Sequence, residues 1–202
     1  MAIALPTAGH HEAEITSTGL NHRKLLIWAF LGSDCLFFGT FISTYMLYRG
    51  QSVSGPTPSK VFNIPYTSVS AFVLLMSSLA MVLALAAIQR NDVRRLRIWI
   101  MATALLGMTF LGGQFYEFTT FYTREGLTLH GNIFGTTFFV LTGFHGAHVT
   151  IGCIWLVSIF VLSFKGKIRQ DNSLDVEIAG LYWHFVDIVW IIIFTLVYLV
   201  PV

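Results

Sequence analysis

The sequence predicts an all-α membrane protein, a polytopic bundle of five transmembrane helices. Of its 202 residues, 55% are hydrophobic and 11% are charged, and the mean hydropathy is +0.71. A soluble domain carries about a quarter charged residues. The clearest single span is 180–199, GLYWHFVDIVWIIIFTLVYL. As a helix its twenty residues are roughly 30 Å long, which matches the hydrocarbon core of a bilayer.

Four further apolar stretches precede this one and are separated from one another by polar loops. The predicted spans are about 25–48, 66–89, 98–122, 132–164 and 178–200, after a polar N-terminal tail at 1–24. Prolines at 56, 58 and 65 exclude a regular helix from the first loop. We find no internal repeat, so residues 25–202 are predicted to form a single transmembrane domain.

The distribution of basic residues predicts the orientation of the bundle. With the N-terminus in the cytoplasm, nine Lys and Arg residues lie in the inner segments and three in the outer ones. The inner group is Arg23, Lys24, Arg90, Arg94, Arg95, Arg97, Lys165, Lys167 and Arg169, and the outer group is Arg49, Lys60 and Arg124. We therefore expect a cytoplasmic N-terminus and, after five spans, an external C-terminus. The net charge of +2 does not suggest nucleic-acid binding.

The first span contains one acidic residue, Asp34, within LGSDCLFFGTF. A carboxylate inside a membrane is costly unless it finds a partner. We weigh two roles for Asp34: a structural hydrogen bond to Ser33 or to another helix, and participation in proton movement. Further along, Glu117 lies in the last turns of the third span, beside Gln114 and Tyr116.

The short links on the predicted inner side carry basic residues for which two interpretations remain open. Basic side chains there either anchor the helices at the cytoplasmic surface or bind the headgroup of an anionic phospholipid. The candidates for headgroup binding are Arg94, Arg97 and Lys165.

The last two spans contain three histidines and an acid. His145 and His148 share a face of the fourth span, and His184 precedes Asp187 by one turn on the fifth. One alternative is haem ligation by a histidine from each span. Another is a copper or zinc site that includes Asp187. Because His145 and His184 are predicted at different depths, we favour histidines that hold helices together by hydrogen bonds.

One face of the fifth span is predicted to pack against protein. Gly180, Trp183, Asp187, Trp190 and Phe194 recur at steps of three and four and therefore share this face, and the opposite face of Ile, Val and Leu suits lipid. A stand-alone proton-coupled transporter is a further alternative. It is disfavoured because the acids lie at different depths and no span reads as interrupted.

Five motifs, in this order, resemble subunit III of the haem–copper respiratory oxidases in its five-helix bacterial form. They are GSDCLFFGTF at 32–41, FVLLMSSLAM at 72–81, QFYEF at 114–118, GTTFFVLTGFHGAHVTIG at 135–152 and YWHFVDIVWIIIFTLVYL at 182–199. Asp34 and Glu117 stand where the family has acids, and His145, His148, His184 and Asp187 match its recurrent polar residues. The stretch 169–177, RQDNSLDVE, departs from the His-rich segment of many cytochrome c oxidase members.

The resemblance implies a non-catalytic accessory subunit of a proton-pumping terminal oxidase, in a bacterial cell membrane. Its partners would be catalytic subunit I, other oxidase subunits, a respiratory supercomplex and structural phospholipids. Haem and copper would be held by the partner subunits and none by this chain, and its buried polar residues would support proton uptake. Cytochrome c oxidase is the first expectation. A quinol oxidase is the alternative, favoured by Asp34, and a haem-carrying membrane protein is an alternative from another class.

Overall fold

The computed structural model describes residues 21–51, 62–124 and 126–200. Within these ranges the chain forms five long helices: α1 His22–Tyr48, α2 Ile64–Gln89, α3 Val93–Thr123, α4 Ile133–Phe164 and α5 Ser173–Ile193. All five spans, the last including the short helices that flank α5, are long and apolar enough to cross a membrane. The predicted all-α, five-span fold is therefore confirmed. Most of the predicted N-terminal tail, residues 1–20, lies outside the described residues.

Four of the helices begin at an Asn or Asp side chain that caps the first turn. The capping oxygen accepts a backbone N–H in each case: Asn21 from Arg23, Asn63 from Tyr66, Asp92 from Arg95 and Asn132 from Gly135. Such a side chain satisfies one of the N–H groups that a helix start leaves without a partner. The cap at Asp92 explains why α3 begins at Val93 and not near residue 98, where the apolar stretch begins.

The last span is not one uniform α-helix. A short 3₁₀-helix, Gln170–Asn172, leads into α5, and a π-helical segment, Phe194–Leu199, continues it. The guanidinium of Arg49, at the end of α1, donates to the carbonyl oxygens of Leu196 and Val200, both at 3.4 Å. The apolar pattern of the sequence gives no sign of this π-helical segment, because the hydropathy does not change there.

The helices are arranged around α5. Helices α2 and α3 pack side by side, α4 packs against α3, and α5 contacts α1, α2 and α4. In the most apolar stretch of the last span, 50% of the residues are buried within the protein. In the corresponding stretch of α1, only 17% are buried. Helix α1 packs chiefly on α4 and α5 and leaves much of its apolar surface uncovered. The last span is therefore the one most enclosed by the rest of the chain, and α1 is the least enclosed.

Two ion pairs join the start of α1 to the start of α5. Arg23 pairs with Asp175, and Lys24 pairs with Glu177. All four side chains are partly exposed, and pairs of this kind contribute about 0–1 kcal/mol each. They fix the register of α1 against α5 more than they stabilise the bundle.

The indole of Trp183 on α5 fits between glycines of two other helices. Its exposed fraction is 2%. A Cβ atom added at Gly152 of α4 would lie 2.8 Å from Trp183 Cζ3, and one added at Gly107 of α3 would lie 2.5 Å from its Cη2. Small residues at helix contacts permit this close approach. Gly107 and Gly152 are therefore required by the volume of Trp183.

We predict that Gly152→Ala lowers the free energy of unfolding by about 1–3 kcal/mol, because overpacking displaces the Trp183 ring. Gly143→Ala on the same helix is the matched control, since a Cβ there meets no atom within 4 Å. Reversible unfolding of the purified chain in mixed micelles measures both changes. Equal stability of the two variants would contradict the proposed fit of Trp183.

Candidate functional site

In the described part of the chain, the predicted polar residues lie in four groups, each between different helices. Glu117 joins α3 to α2 and to the π-helical segment. Gln114 and His145 lie between α3, α4 and α5. His184 and Asp187 face α2, and Asp34 of α1 faces α4. In lipid a polar group finds a partner only inside the protein, so the contacts that these groups do form favour particular pairs of helices.

The carboxylate of Glu117 accepts hydrogen bonds from two other elements. Thr67 Oγ1 of α2 donates to it at 2.7 Å, and the Tyr198 hydroxyl of the π-helical segment donates at 3.3 Å. All three side chains are buried. Two donors from different helices offset part of the cost of placing a carboxyl group in the interior. Glu117 therefore ties together α2, α3 and the end of the last span.

One turn before Glu117, Gln114 links α3 to α4. Its Nε2 donates to the backbone oxygen of Thr142 at 2.8 Å. A Cβ atom at Gly146 would lie 2.9 Å from Gln114 Oε1, so the glycine makes room for the amide. The absence of a side chain at Gly146 therefore leaves space for the Gln114 amide, which forms the hydrogen bond between α3 and α4.

His145 is fully buried and is held by aromatic rings. Its imidazole stacks on the indole of Trp190, with ring centroids 4.9 Å apart and an interplanar angle of 27°. Phe110 of α3 packs edge-on against both rings, at 5.9 and 4.8 Å. Neither ring nitrogen of His145 has a hydrogen-bond partner among the described residues. In this structure His145 therefore contributes an aromatic surface that packs α4 against α3 and α5.

Two adjacent serines of α2 bind consecutive residues of α5. The Trp183 Nε1–H donates to Ser77 Oγ at 3.0 Å, and Ser78 Oγ lies 2.6 Å from His184 Nδ1. The Asp187 carboxyl group lies close to the same Ser78 hydroxyl, and its Oδ1 has no hydrogen-bond partner among the described residues. The polar face of α5 is thereby attached to α2.

Asp34 and His148 form a pair between α1 and α4. His148 Nε2 lies 3.4 Å from Asp34 Oδ2, and His148 Nδ1 lies 2.8 Å from the carbonyl oxygen of Phe144. A carbonyl only accepts, so we assign the hydrogen to Nδ1. Asp34 therefore meets a side chain of another helix through an ion-pair contact, and its Oδ2 has no hydrogen-bond partner among the described residues.

The three predicted histidines do not face one another. His148 points to α1, His184 points to α2, and His145 stacks on Trp190. The expected alternative of a haem held between the fourth and fifth spans therefore finds no pair of facing imidazoles in the described part of the chain. The same ranges contain no group of three His, Cys, Asp or Glu side chains arranged to hold a metal ion.

The basic candidates for headgroup binding differ in their surroundings. Arg97 donates through Nε to Ser163 Oγ at 3.0 Å and through Nη2 to the Ser163 oxygen at 2.7 Å, and its guanidinium lies 4.2 Å from the centroid of the Phe164 ring. It thus connects α3 to the end of α4. Arg94 and Lys165 are exposed.

The predicted packing face of α5 lies inside the chain's own bundle. Gly180, Trp183, Asp187 and Trp190 are buried, and Phe194 is partly buried. A Cβ atom at Gly180 would lie 3.3 Å from Met81 Cε of α2. The residues on the opposite face, Ile188, Ile191 and Ile192, are exposed. The partners Thr67, Ser77, Ser78 and Tyr198 were not predicted to make these bonds, because nothing in the sequence relates them to α3 or α5.

The family model described as cytochrome c oxidase subunit III matches residues 6–201. The chain belongs to the cytochrome c oxidase subunit III family. It is 36% identical over 192 residues to cytochrome c oxidase subunit 3 of Alkalihalophilus pseudofirmus, covering 95% of this chain and 93% of that protein. It is 37% identical over 172 residues to quinol oxidase subunit 3 of Bacillus subtilis, covering 85% and 84%.

Family membership confirms the resemblance seen in the sequence motifs. A probable quinol oxidase subunit 3 of Staphylococcus saprophyticus is 36% identical over 181 residues, covering 89% of this chain and 90% of that protein. The chain is therefore subunit III of a haem–copper oxidase, either a cytochrome c oxidase or a quinol oxidase. As such it is a multi-pass membrane protein that associates with other oxidase subunits.

We predict that Thr67→Val lowers the free energy of unfolding by about 1–3 kcal/mol, because the buried carboxylate of Glu117 loses a donor. Thr119→Val is the control, since the Thr119 hydroxyl is exposed and donates only within its own helix, to Phe115. Its effect should stay below about 0.5 kcal/mol. If both variants unfold alike in mixed micelles, the bond between Thr67 and Glu117 does not stabilise the bundle.

A second prediction concerns the pair between α1 and α4. Asp34→Asn should cost less than about 1 kcal/mol of unfolding free energy, because the amide can donate to His148 Nε2. Asp34→Leu should cost about 1–3 kcal/mol, because it leaves that nitrogen without a partner. Unfolding of both variants in mixed micelles compares them directly. A leucine variant as stable as the wild type would mean that the pair does not hold α1 to α4.

Proposed function

We propose that this subunit III is a non-catalytic accessory subunit of a proton-pumping aerobic terminal oxidase, in the first instance a cytochrome c oxidase. It stabilises the catalytic subunit I, binds phospholipid and supports proton uptake, and it lies in a bacterial cell membrane with its N-terminus in the cytoplasm. The observation that carries this proposal is that, among the residues the structure describes, the buried polar side chains connect the helices of one bundle and do not converge on a reaction centre.

The chain itself, in this proposal, holds neither haem nor copper, which belong to the partner subunits. The support is the direction of the histidines. The imidazoles of His145, His148 and His184 each meet a different helix surface. A six-coordinate haem would instead require two of them to face each other across a gap.

Support for proton uptake comes from the Asp34–His148 pair. The two side chains are only 12% and 15% exposed, so the pair lies at the edge of the interior and not at its centre. Both side chains can bind a proton, and the contact between them connects α1 to α4. A group that can gain or pass on a proton without creating an isolated buried charge suits a position beside a proton entry.

A quinol oxidase is the second candidate. Relatives described as quinol oxidase subunit 3 and as cytochrome c oxidase subunit 3 are about equally similar to this chain, at 37% and 36% identity. In both kinds of complex the electron donor would be bound by other subunits. Co-purification of the complex under mild detergent, followed by assay with each donor, separates the two.

We predict that the tagged chain co-purifies with a catalytic subunit that contains haem and copper, whereas the chain alone shows no Soret band. The reason is that, in the described part of the chain, no two histidines of the fourth and fifth spans face each other so as to bind one iron from both sides. The measurement is the visible spectrum of the complex and of the chain after separation. A Soret band in the separated chain would reject the proposal, as would a chain that never joins a larger assembly.

For proton uptake, Asp34→Asn in the intact oxidase should leave the redox spectra unchanged and should change proton uptake or the rate of inactivation during turnover. The reason is that Asn can neither bind nor release a proton, although its amide can donate a hydrogen bond to His148. Asp171→Asn is the matched control, because it makes the same change in an exposed acid of the short 3₁₀-helix before α5. If Asp34→Asn alters neither quantity, Asp34 is purely structural.

A further inference from the structure

A groove of about 480 Å³ lies between α2 and α3, at the end where the two helices join. Arg90, Asp92 and Arg95 surround its mouth. Leu83, Ile98 and Trp99 form its walls. The part of the chain that forms it, residues 83–99, is described without a gap. None of the bonds between helices described above involves these residues.

The two arginines are held at the mouth by a tight turn. Asn91 has a φ of 58°, and the backbone N–H of Asp92 donates to the Ala87 oxygen at 2.9 Å. The chain therefore reverses within the link, and Arg90 and Arg95 are brought to the same side. Because the short turn fixes the backbone positions of both arginines, only their side chains must be ordered when an anion binds between them.

The mouth carries a net positive charge. Arg90 is exposed, and Arg95 Nε lies 3.2 Å from Asp92 Oδ2 while 70% of the Arg95 side chain remains exposed. Two guanidinium groups against one carboxylate leave one positive charge. Further N–H groups of Arg95 are available beside the Asp92 contact, since a guanidinium has five. A phosphate group can bind to both arginines at once.

Below the mouth the surface is apolar. Leu83 and Ile98 are exposed, and on α2 the exposed side chains Leu79 and Val82 continue the same surface into the span. The partly buried Trp99 also lines the groove, and aromatic residues are common near the membrane surface. A soluble anion would use only the mouth, whereas an acyl chain would also cover these side chains.

We propose that this groove binds one anionic phospholipid from the leaflet that faces the α2–α3 link. Its phosphate lies between Arg90 and Arg95, and an acyl chain lies along Leu83 and Ile98. Basic pockets between transmembrane helices bind such headgroups. A zwitterionic headgroup would bring its own cation next to two guanidinium groups, which disfavours it. This inference rests on the lipid-binding role proposed above. It replaces the headgroup candidates Arg94, Arg97 and Lys165 by Arg90 and Arg95 at the mouth of this groove.

The test uses the purified full-length chain in detergent micelles and a brominated phosphatidylglycerol, which quenches nearby tryptophans. Subtracting the quenching seen in Trp99→Phe leaves the part that reports on this groove. We expect saturable quenching of Trp99, and at least tenfold weaker binding in the double variant Arg90→Gln/Arg95→Gln, which loses two phosphate contacts. The matched control Arg94→Gln/Lys165→Gln removes the same charge from side chains outside the groove and should change the affinity less than twofold.

Further measurements show whether the groove binds an anionic phospholipid, any phospholipid or a soluble phosphate. Brominated phosphatidylcholine should bind at least tenfold more weakly, and glycerol phosphate at millimolar concentration should not displace the lipid. Ala86→Phe fills the groove without altering charge and should weaken binding, which covers the case in which the double arginine variant fails to fold. Equal loss in the control pair, equal binding of phosphatidylcholine or displacement by glycerol phosphate would each overturn the inference. Co-purification with the oxidase tests the proposed function separately.

Discussion

The absence of water from the bilayer interior is the constraint on which the structure depends. A polar side chain there must be paired within the protein or remain at a cost of several kcal/mol. Helix α5 meets three neighbours through polar and aromatic side chains: Trp183 and His184 form hydrogen bonds with α2, and Trp190 packs on α3 and α4. These contacts hold α5 against α2, α3 and α4.

Polar bonds and close packing contribute differently to the bundle. A hydrogen bond between transmembrane helices is worth about 0.6 kcal/mol on average, because the separated helices also find partners. Packing of Trp183 against Gly107 and Gly152 involves many more atoms, and dispersion accumulates over all of them. Packing therefore supplies most of the attraction between helices, and the buried acids and histidines decide which arrangement of helices is allowed.

The five spans could be predicted because hydropathy and length determine whether a helix crosses a membrane. The packing face of α5 could be proposed because its small and polar residues recur at steps of three and four. Their partners could not be predicted, since the contact of Asp34 with His148 and that of Arg97 with Ser163 depend on how distant helices meet. The early start of α3 was missed for a local reason. Its first turn is charged, and only the cap at Asp92 reveals it.

The claim that polar contacts join α5 to its neighbours is tested most directly at Trp183 and Ser77. A double-mutant cycle of Trp183→Phe and Ser77→Ala, followed by unfolding in mixed micelles, isolates the coupling between the indole N–H and the hydroxyl. We predict a coupling of about 0.5–1.7 kcal/mol, the range found for interhelical hydrogen bonds in membranes. If the changes in unfolding free energy caused by the two substitutions simply add, the claim that this bond attaches α5 to α2 is contradicted.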